Sequence, residues 1–124
     1  MRIAHSAQVP SLPADASHFN GSVQMRNLGA VDAPSGSALV VTFEPGARTH
    51  WHQHPDGQLL YGLEGAGHVG TRDGETVDIG PGDLVYAPPG EVHWHGASAA
   101  VGLTHLALSF GETQWMGDSL AGES

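Results

Sequence analysis

Nine of the 124 residues are histidine, and six of them fall in three short segments: His50, His52 and His54; His93 and His95; and His105. In an extended strand, residues two apart point to one face, about 6.5–7 Å apart. On that spacing His50, His52 and His54 share a face, as do His93 and His95. His105 shares its face with Val101, Leu103, Ala107 and Ser109. A single histidine on a strand is usually exposed or singly hydrogen-bonded. Six in one small interior are different, because ring nitrogens go unpaired and like charges gather as pH falls. A divalent metal ion relieves both problems by using the lone pairs of neutral imidazoles. His5, His18 and His68 lie outside these segments and read as ordinary surface or turn residues.

The elements that must position these rings are short strands. From Ser37 onward, apolar stretches alternate with Gly and Pro signals, as in an all-β sandwich or barrel. We expect strands over 38–44, 49–54, 58–64, 67–71, 76–79, 84–87, 92–95 and 101–110, with an earlier one near 22–28. Asp73-Gly74, Pro45-Gly46, Pro81-Gly82 and Pro88-Pro89-Gly90 supply turns. Gln58 follows the tight Pro55-Asp56-Gly57 turn, so it can fold back beside His54. Residues 1–36 are weakly patterned and punctuated by Pro10, Pro13, Asn20-Gly21 and Pro34-Ser35-Gly36, which suggests a short irregular N-terminal arm. The tail is expected to hold one helical turn around Trp115 and Met116, docked or closing a cavity mouth. No helical crossovers separate the strands, so a parallel α/β sheet is excluded and a double-sheet jelly roll is the natural closure.

Composition agrees. The chain suits one domain over residues 1–124, with the barrel core at about 38–110. Its 18 Gly and 8 Pro exceed the usual roughly 12 % share and favour turns over long helices. Lys+Arg is 4 against 13 acids, a net charge of −9, and all four basic residues are Arg. That is too little positive charge for a nucleic-acid groove or an anionic membrane surface. The absence of cysteine removes disulfides, thiol catalysis and Cys-type zinc sites. Residues 1–10 carry no apolar stretch of the signal-peptide kind, and no apolar run is long enough for a membrane helix, so the cytoplasm is the expected compartment.

Two spacings carry a resemblance. Gly46, five residues, His52, one residue, His54, three residues, Gln58, six residues, Gly65 resembles the first motif of the cupin superfamily. Gly82, five residues, Pro88, one residue, Gly90, two residues, His93 resembles the second, sixteen residues further on. Gln58 stands where that family usually has Glu, and Ala97 where it usually has Asn. The resemblance implies a cupin jelly roll with His52, His54, Gln58 and His93 as ligands of one divalent metal ion per subunit. A narrower likeness runs through 41–49, Trp51-His52, His54-Pro55, Gly57-Gln58, 93–97, 104–107 and Trp115-Met116. These stretches resemble small bacterial cupins that include manganese-dependent hydroxynitrile lyases, which also carry Gln at that ligand position and His at the positions of His95 and His105. His50 lies outside that pattern.

Three His and one Gln form a neutral set, so a divalent ion held by it keeps its charge of about +2 and acts as a strong Lewis acid. Manganese is the first choice, with iron, zinc, nickel or cobalt as alternatives. The chemistry implied is lyase-type or isomerase-type action on a small carbonyl or hydroxyl substrate, cyanohydrin cleavage being the instance the resemblance suggests. His95 or His105 would move the proton. Alternatives are a mononuclear non-haem dioxygenase, a polyketide-cyclase-like enzyme, and a metal- or small-molecule-binding protein without turnover. Trp51 and Trp94 alternate with the ligand histidines and should face outward. A chain this short gains by covering its sheet edges, so a homodimer or homotetramer is expected, partly through residues 20–28 and the two outward Trp residues.

Overall fold

The computed structural model describes Met1, residues 3–31 and residues 36–120. The Pro34-Ser35 part of the expected turn and the last four residues of the tail lie outside them. Two 3-10 turns, Ser6–Gln8 and Ala16–His18, accompany strands β1 (Leu12–Pro13), β2 (Phe19–Asn20), β3 (Val23–Val31), β4 (Gly36–Phe43), β5 (Arg48–Thr49), β6 (His52–Gln53), β7 (Gln58–Gly65), β8 (Gly67–Thr71), β9 (Thr76–Ile79), β10 (Leu84–Ala87), β11 (His93–Ala97), β12 (Leu103–Ser109) and β13 (Gln114–Trp115). The strands form two antiparallel sheets. One runs β1-β3-β4-β12-β7-β10; the other runs β13-β6-β11-β5-β2, with β8 pairing β11 and β9. This is the all-β jelly-roll sandwich expected. Among the described residues no helix is long and apolar enough to cross a membrane.

The sheets meet over Phe43, Leu60, Ile79, Leu103, Val41 and Ala107, all buried. The inward positions of β12 read Leu103, His105, Ala107, Ser109, so the interior changes from apolar at one end to polar at the other. Core and site are therefore one continuous surface. His105 has its ring centroid 5.3 Å from that of Phe43.

Three expectations need correction. The first is a continuous strand over 49–54. Gly96 pairs with Arg48 and His93 with His52, so four steps on one strand face three on β11. The extra residue is a bulge at His50-Trp51, and it breaks the alternation. Thr49 and His52 are both buried, whereas His50 is only half-buried and supplies its backbone, its N–H to the His18 carbonyl and its carbonyl to His52.

The second is the helical turn at Trp115. Residues 114–115 instead form β13, with Gln114 opposite Gln53 and Trp115 opposite His52. The unpaired edge of β6 offers this segment a ladder that a single isolated helical turn lacks. The third concerns the N-terminal arm, which is more ordered than its composition suggests. Asp15 caps the second 3-10 turn through Ser17 N–H at 3.0 Å, and Phe19 of β2 enters the core.

The two outward tryptophans are covered from within the chain. Arg72 lies over Trp51, which is only 7 % exposed, with its guanidinium carbon 4.4 Å from the ring centroid. Arg48 lies over Trp94 at 3.9 Å. Trp94 also crosses β8 at Gly70, where a Cβ would stand 2.3 Å from the indole nitrogen.

Candidate functional site

The bulge and the β6–β11 pairing bring His52 and His93 face to face. Their ring centroids are 4.5 Å apart. Alternation through Gln53 brings in His54, at 5.0 Å from His52, and alternation through Trp94 brings in His95, at 5.1 Å. Gln58 enters from the first position of β7, and His105 from the middle of β12. All six side chains are buried. His50 stays out of the ring cluster for the reason given above.

Backbone carbonyls fix the tautomers of two rings. The Nδ1–H of His52 donates to the His50 carbonyl at 2.9 Å, and that of His93 to the Glu91 carbonyl at 3.0 Å. A carbonyl only accepts, so in each neutral ring the lone pair sits on Nε2. Gln58 Nε2 donates to Ser109 Oγ at 2.9 Å, which turns its Oε1 toward His93 Nε2 at 3.0 Å. Two acceptor atoms thus face one another. His54 has Thr113 Oγ1 beside Nδ1 at 3.2 Å, and its Nε2 is buried with no hydrogen-bond partner. Confronted lone pairs and an orphaned ring nitrogen are unfavourable in a dry interior and suit a cation. The donor set, three imidazoles and an amide oxygen, fits a divalent ion that accepts nitrogen and oxygen ligands.

His95 is nearer than an outlying proton carrier needs to be. One nitrogen each of His52, His93 and His95 lie within 4.8 Å of one another, a grouping that could hold a metal ion. The Nε2 of His95 is buried and unpartnered, while its Nδ1 meets His105 Nε2 at 3.0 Å. Thr49 Oγ1 anchors the His95 backbone N–H at 3.1 Å. His95 lines a partly open space of about 70 Å³ beside His52, His54 and Gln58; His105 stands behind it. Phe19, Met25, Leu39, Val41 and Trp115 form the apolar side of that space.

Trp115, expected either to dock the tail or to close the cavity mouth, lines the site. Its ring lies 4.7 Å from His52 and stacks on His18 at 4.4 Å with a 6° interplanar angle. His18 is therefore more than an ordinary turn residue. The sequence signals for this arrangement are the Trp115-Met116 pair in the narrower resemblance and an aromatic residue in an otherwise polar tail. The tail is tied down by Ser119, whose hydroxyl donates to the Thr49 carbonyl at 2.6 Å and accepts from Arg48 Nε at 2.8 Å.

Burial is the main cause of the cluster's electrostatics. It pushes His52 and His95 well below the ordinary histidine range, lowers His93, and brings His54 and His105 down to about 4. Neighbouring imidazoles add to the effect at His52, His54 and His95. The rings are thus neutral at pH 7, the form that offers lone pairs. Above pH 6.5 these groups are neutral both folded and unfolded. Below it the unfolded chain binds protons that the folded cluster refuses, so stability falls with pH until the folded values are reached. From pH 6.5 to 4, His54 and His105 each cost about 3 kcal/mol. Denaturant unfolding of chelator-treated protein should give a stability that is level above pH 7 and declines steadily toward pH 4. A level profile down to pH 4.5 would contradict a desolvated cluster.

Comparison with known proteins agrees with this geometry. Residues 39–104 match the cupin domain family model. Over 97 residues the chain is 46 % identical to an (R)-mandelonitrile lyase of Granulicella tundricola, covering 77 % of this chain and 72 % of the relative. A cupin-like protein of Thermotoga maritima superposes with a TM-score of 0.80 at 36 % identity, covering 86 % of this chain and 84 % of the other. A polyketide cyclase of Streptomyces resistomycificus superposes at 0.79 with 21 % identity, covering 99 % and 88 %, a likeness of fold alone. Matched along its barrel core by the family model and along most of its length by these relatives, the chain belongs to the cupin family.

Proposed function

We propose that this protein is a metal-dependent lyase that cleaves a small cyanohydrin to an aldehyde and hydrogen cyanide. The observation that carries this reading is His95. Its Nε2 is buried and unpartnered, and the residue lines the space described above, while its other nitrogen is engaged by His105. A metal ligand set alone does not require a second imidazole behind such a ring. The mandelonitrile lyase relative supports the choice of reaction.

In the free protein, His52, His54, Gln58 and His93 would hold the ion, manganese being our first choice. Bound there by neutral ligands, it supplies a Lewis acid of undiminished charge that acidifies a hydroxyl. His95 Nε2 takes the hydroxyl proton. The electron pair of the breaking carbon–carbon bond leaves with cyanide, and the same nitrogen returns the proton to it, so atoms and charge balance. With its proton on Nδ1, His95 donates to His105 Nε2, which keeps the Nε2 lone pair directed at the cavity. The apolar side, including Trp115, excludes water and receives the hydrocarbon part of the substrate.

The test is incubation of manganese-loaded protein with mandelonitrile, following benzaldehyde and cyanide together. We expect release above the uncatalysed rate that disappears on chelation. Absence of aldehyde release, with oxygen consumed by the iron-loaded protein instead, would replace this reading with a dioxygenase.

A further inference from the structure

The space beside the ligand cluster measures about 70 Å³. Pockets that bury an organic ligand start at roughly 300 Å³. Part of the wall must therefore move for a substrate with a hydrocarbon group to enter. Met25, Leu39, Val41 and Ala107 are poor candidates. They stand on β3, β4 and β12, strands of seven to nine residues that are each paired on both sides. Thr113 and Trp115 stand instead on the strap 111–119, which lies at the edge of the other sheet. The strap joins that sheet through the two residues of β13.

The strap has a fixed start, a thin middle and a polar catch. At its start Phe110 donates its N–H to the Gly57 carbonyl at 3.0 Å and accepts from Asp56 N–H at 3.1 Å. Gly111 follows with φ of +80°, a turn that glycine makes without strain. In the middle, Met116 N–H donates to the Trp51 carbonyl at 2.8 Å, and the Gly117 carbonyl accepts from Trp51 N–H at 3.0 Å. Glu112, Gln114, Met116 and Gly117 are exposed. A segment with so few buried contacts belongs to the least stable part of a fold. The catch is Ser119, fully buried, with its hydroxyl between the Thr49 carbonyl and Arg48 Nε. Beside it Asn20 Nδ2 donates to Asp118 Oδ1 at 2.6 Å. Water replaces such hydrogen bonds when the catch opens, so the net cost of opening is small.

We propose that residues 111–119 are a lid over the site, pivoting at Gly111, carrying Trp115 as its plug and caught by Ser119. The inference rests on the metal-binding part of the proposed function and not on cyanohydrin cleavage. Lifted, the lid takes Thr113 and Trp115 out of the wall and opens the mouth to ion and substrate. Closed, it returns the indole to its stack on His18 and its place over His52, and it excludes water from the ligand cluster.

The chain has no cysteine, so an introduced crosslink is a clean test. Gln53 and Gln114 are opposed across β6 and β13, and their side chains are hydrogen-bonded at 2.7 Å. Directly opposed strand residues have Cα atoms about 4.5–5.5 Å apart, within reach of a disulfide. Gln53→Cys combined with Gln114→Cys should lock the lid when oxidised and free it when reduced. In the manganese-loaded full chain, EDTA should strip the ion at least tenfold more slowly from the oxidised form. His68→Cys with Asp78→Cys, a cross-strand pair on β8 and β9, should show no such difference. Ser119→Ala should act in the opposite sense. The amide hydrogens of Trp51 and Met116 should exchange about tenfold faster, as loss of the catch predicts, while those of the β7–β12 ladder keep their wild-type rates. This second readout needs neither metal nor substrate. Equal EDTA rates in the oxidised and reduced forms would overturn the lid, as would Trp51 and Met116 amides that exchange only together with the β7–β12 ladder. A protein that passes both tests but does not cleave mandelonitrile keeps its lid and loses only the proposed reaction.

Discussion

His93→Ala should leave the protein unable to retain a metal ion. His93 Nε2 lies at the centre of the donor set, 3.0 Å from Gln58 Oε1 and across the strand pair from His52. Its tautomer is set by the Glu91 carbonyl rather than by any ring that could substitute for it. Altering outer groups that merely orient a ligand typically costs 10–100-fold in affinity, so removing a ligand itself should cost at least about 100-fold. Mass spectrometry of untagged protein should find near one equivalent per chain in wild type and almost none in the variant. The substitution also removes a buried imidazole, so stability must be followed separately. Adding metal should raise the unfolding midpoint of wild type and leave that of His93→Ala where it was. Full metal content in the variant would show that His95, already grouped with His52, completes the site without it.

His105→Ala should lower kcat by about 100-fold or more while metal content and KM stay near the wild-type values. His105 does not line the cavity; it acts through the 3.0 Å contact with His95 Nδ1. Its role is to hold the tautomer and to share the positive charge when His95 takes a proton, in a place where burial makes that charge costly. His105→Gln separates this from a purely structural role. Its amide oxygen can accept the His95 Nδ1–H bond, so activity should recover to within about tenfold of wild type. If His105→Ala and His105→Gln are equally inactive, the ring itself must pass the proton. If both are fully active, His105 is a packing residue and the proton path must be sought elsewhere.

Much of this site could be read from spacing alone, and the parts that could not have definite physical reasons. β8, β9 and β10 run over the residues expected, because glycine and proline turns bound each of them closely. The convergence of His52, His54, His93, His95 and His105 followed from period-two alternation and a closed sandwich. His50 was misplaced because alternation assumes a regular ladder. A bulge is set by the pairing partner, and nothing in the local residues 48–52 announces it. The strand at Trp115 was missed for a related reason: a two-residue strand is stabilised by the edge it joins, so its own sequence carries little signal. The closeness of His95 to His52 and His93 depends on how three strands sit in depth, which a one-dimensional pattern does not encode.

The stack that holds Trp115 between His18 and His52 has an optical consequence. An indole excited in the near ultraviolet loses emission to an adjacent open-shell ion, and this ring lies one imidazole away from where such an ion would sit. Trp51 and Trp94 lie instead beneath arginines and serve as an internal reference. The protein thereby carries its own reporter of occupancy. Manganese added to chelator-treated protein should dim the Trp115 component in a saturable way, zinc should not, and Trp115→Phe should abolish the difference between the two ions.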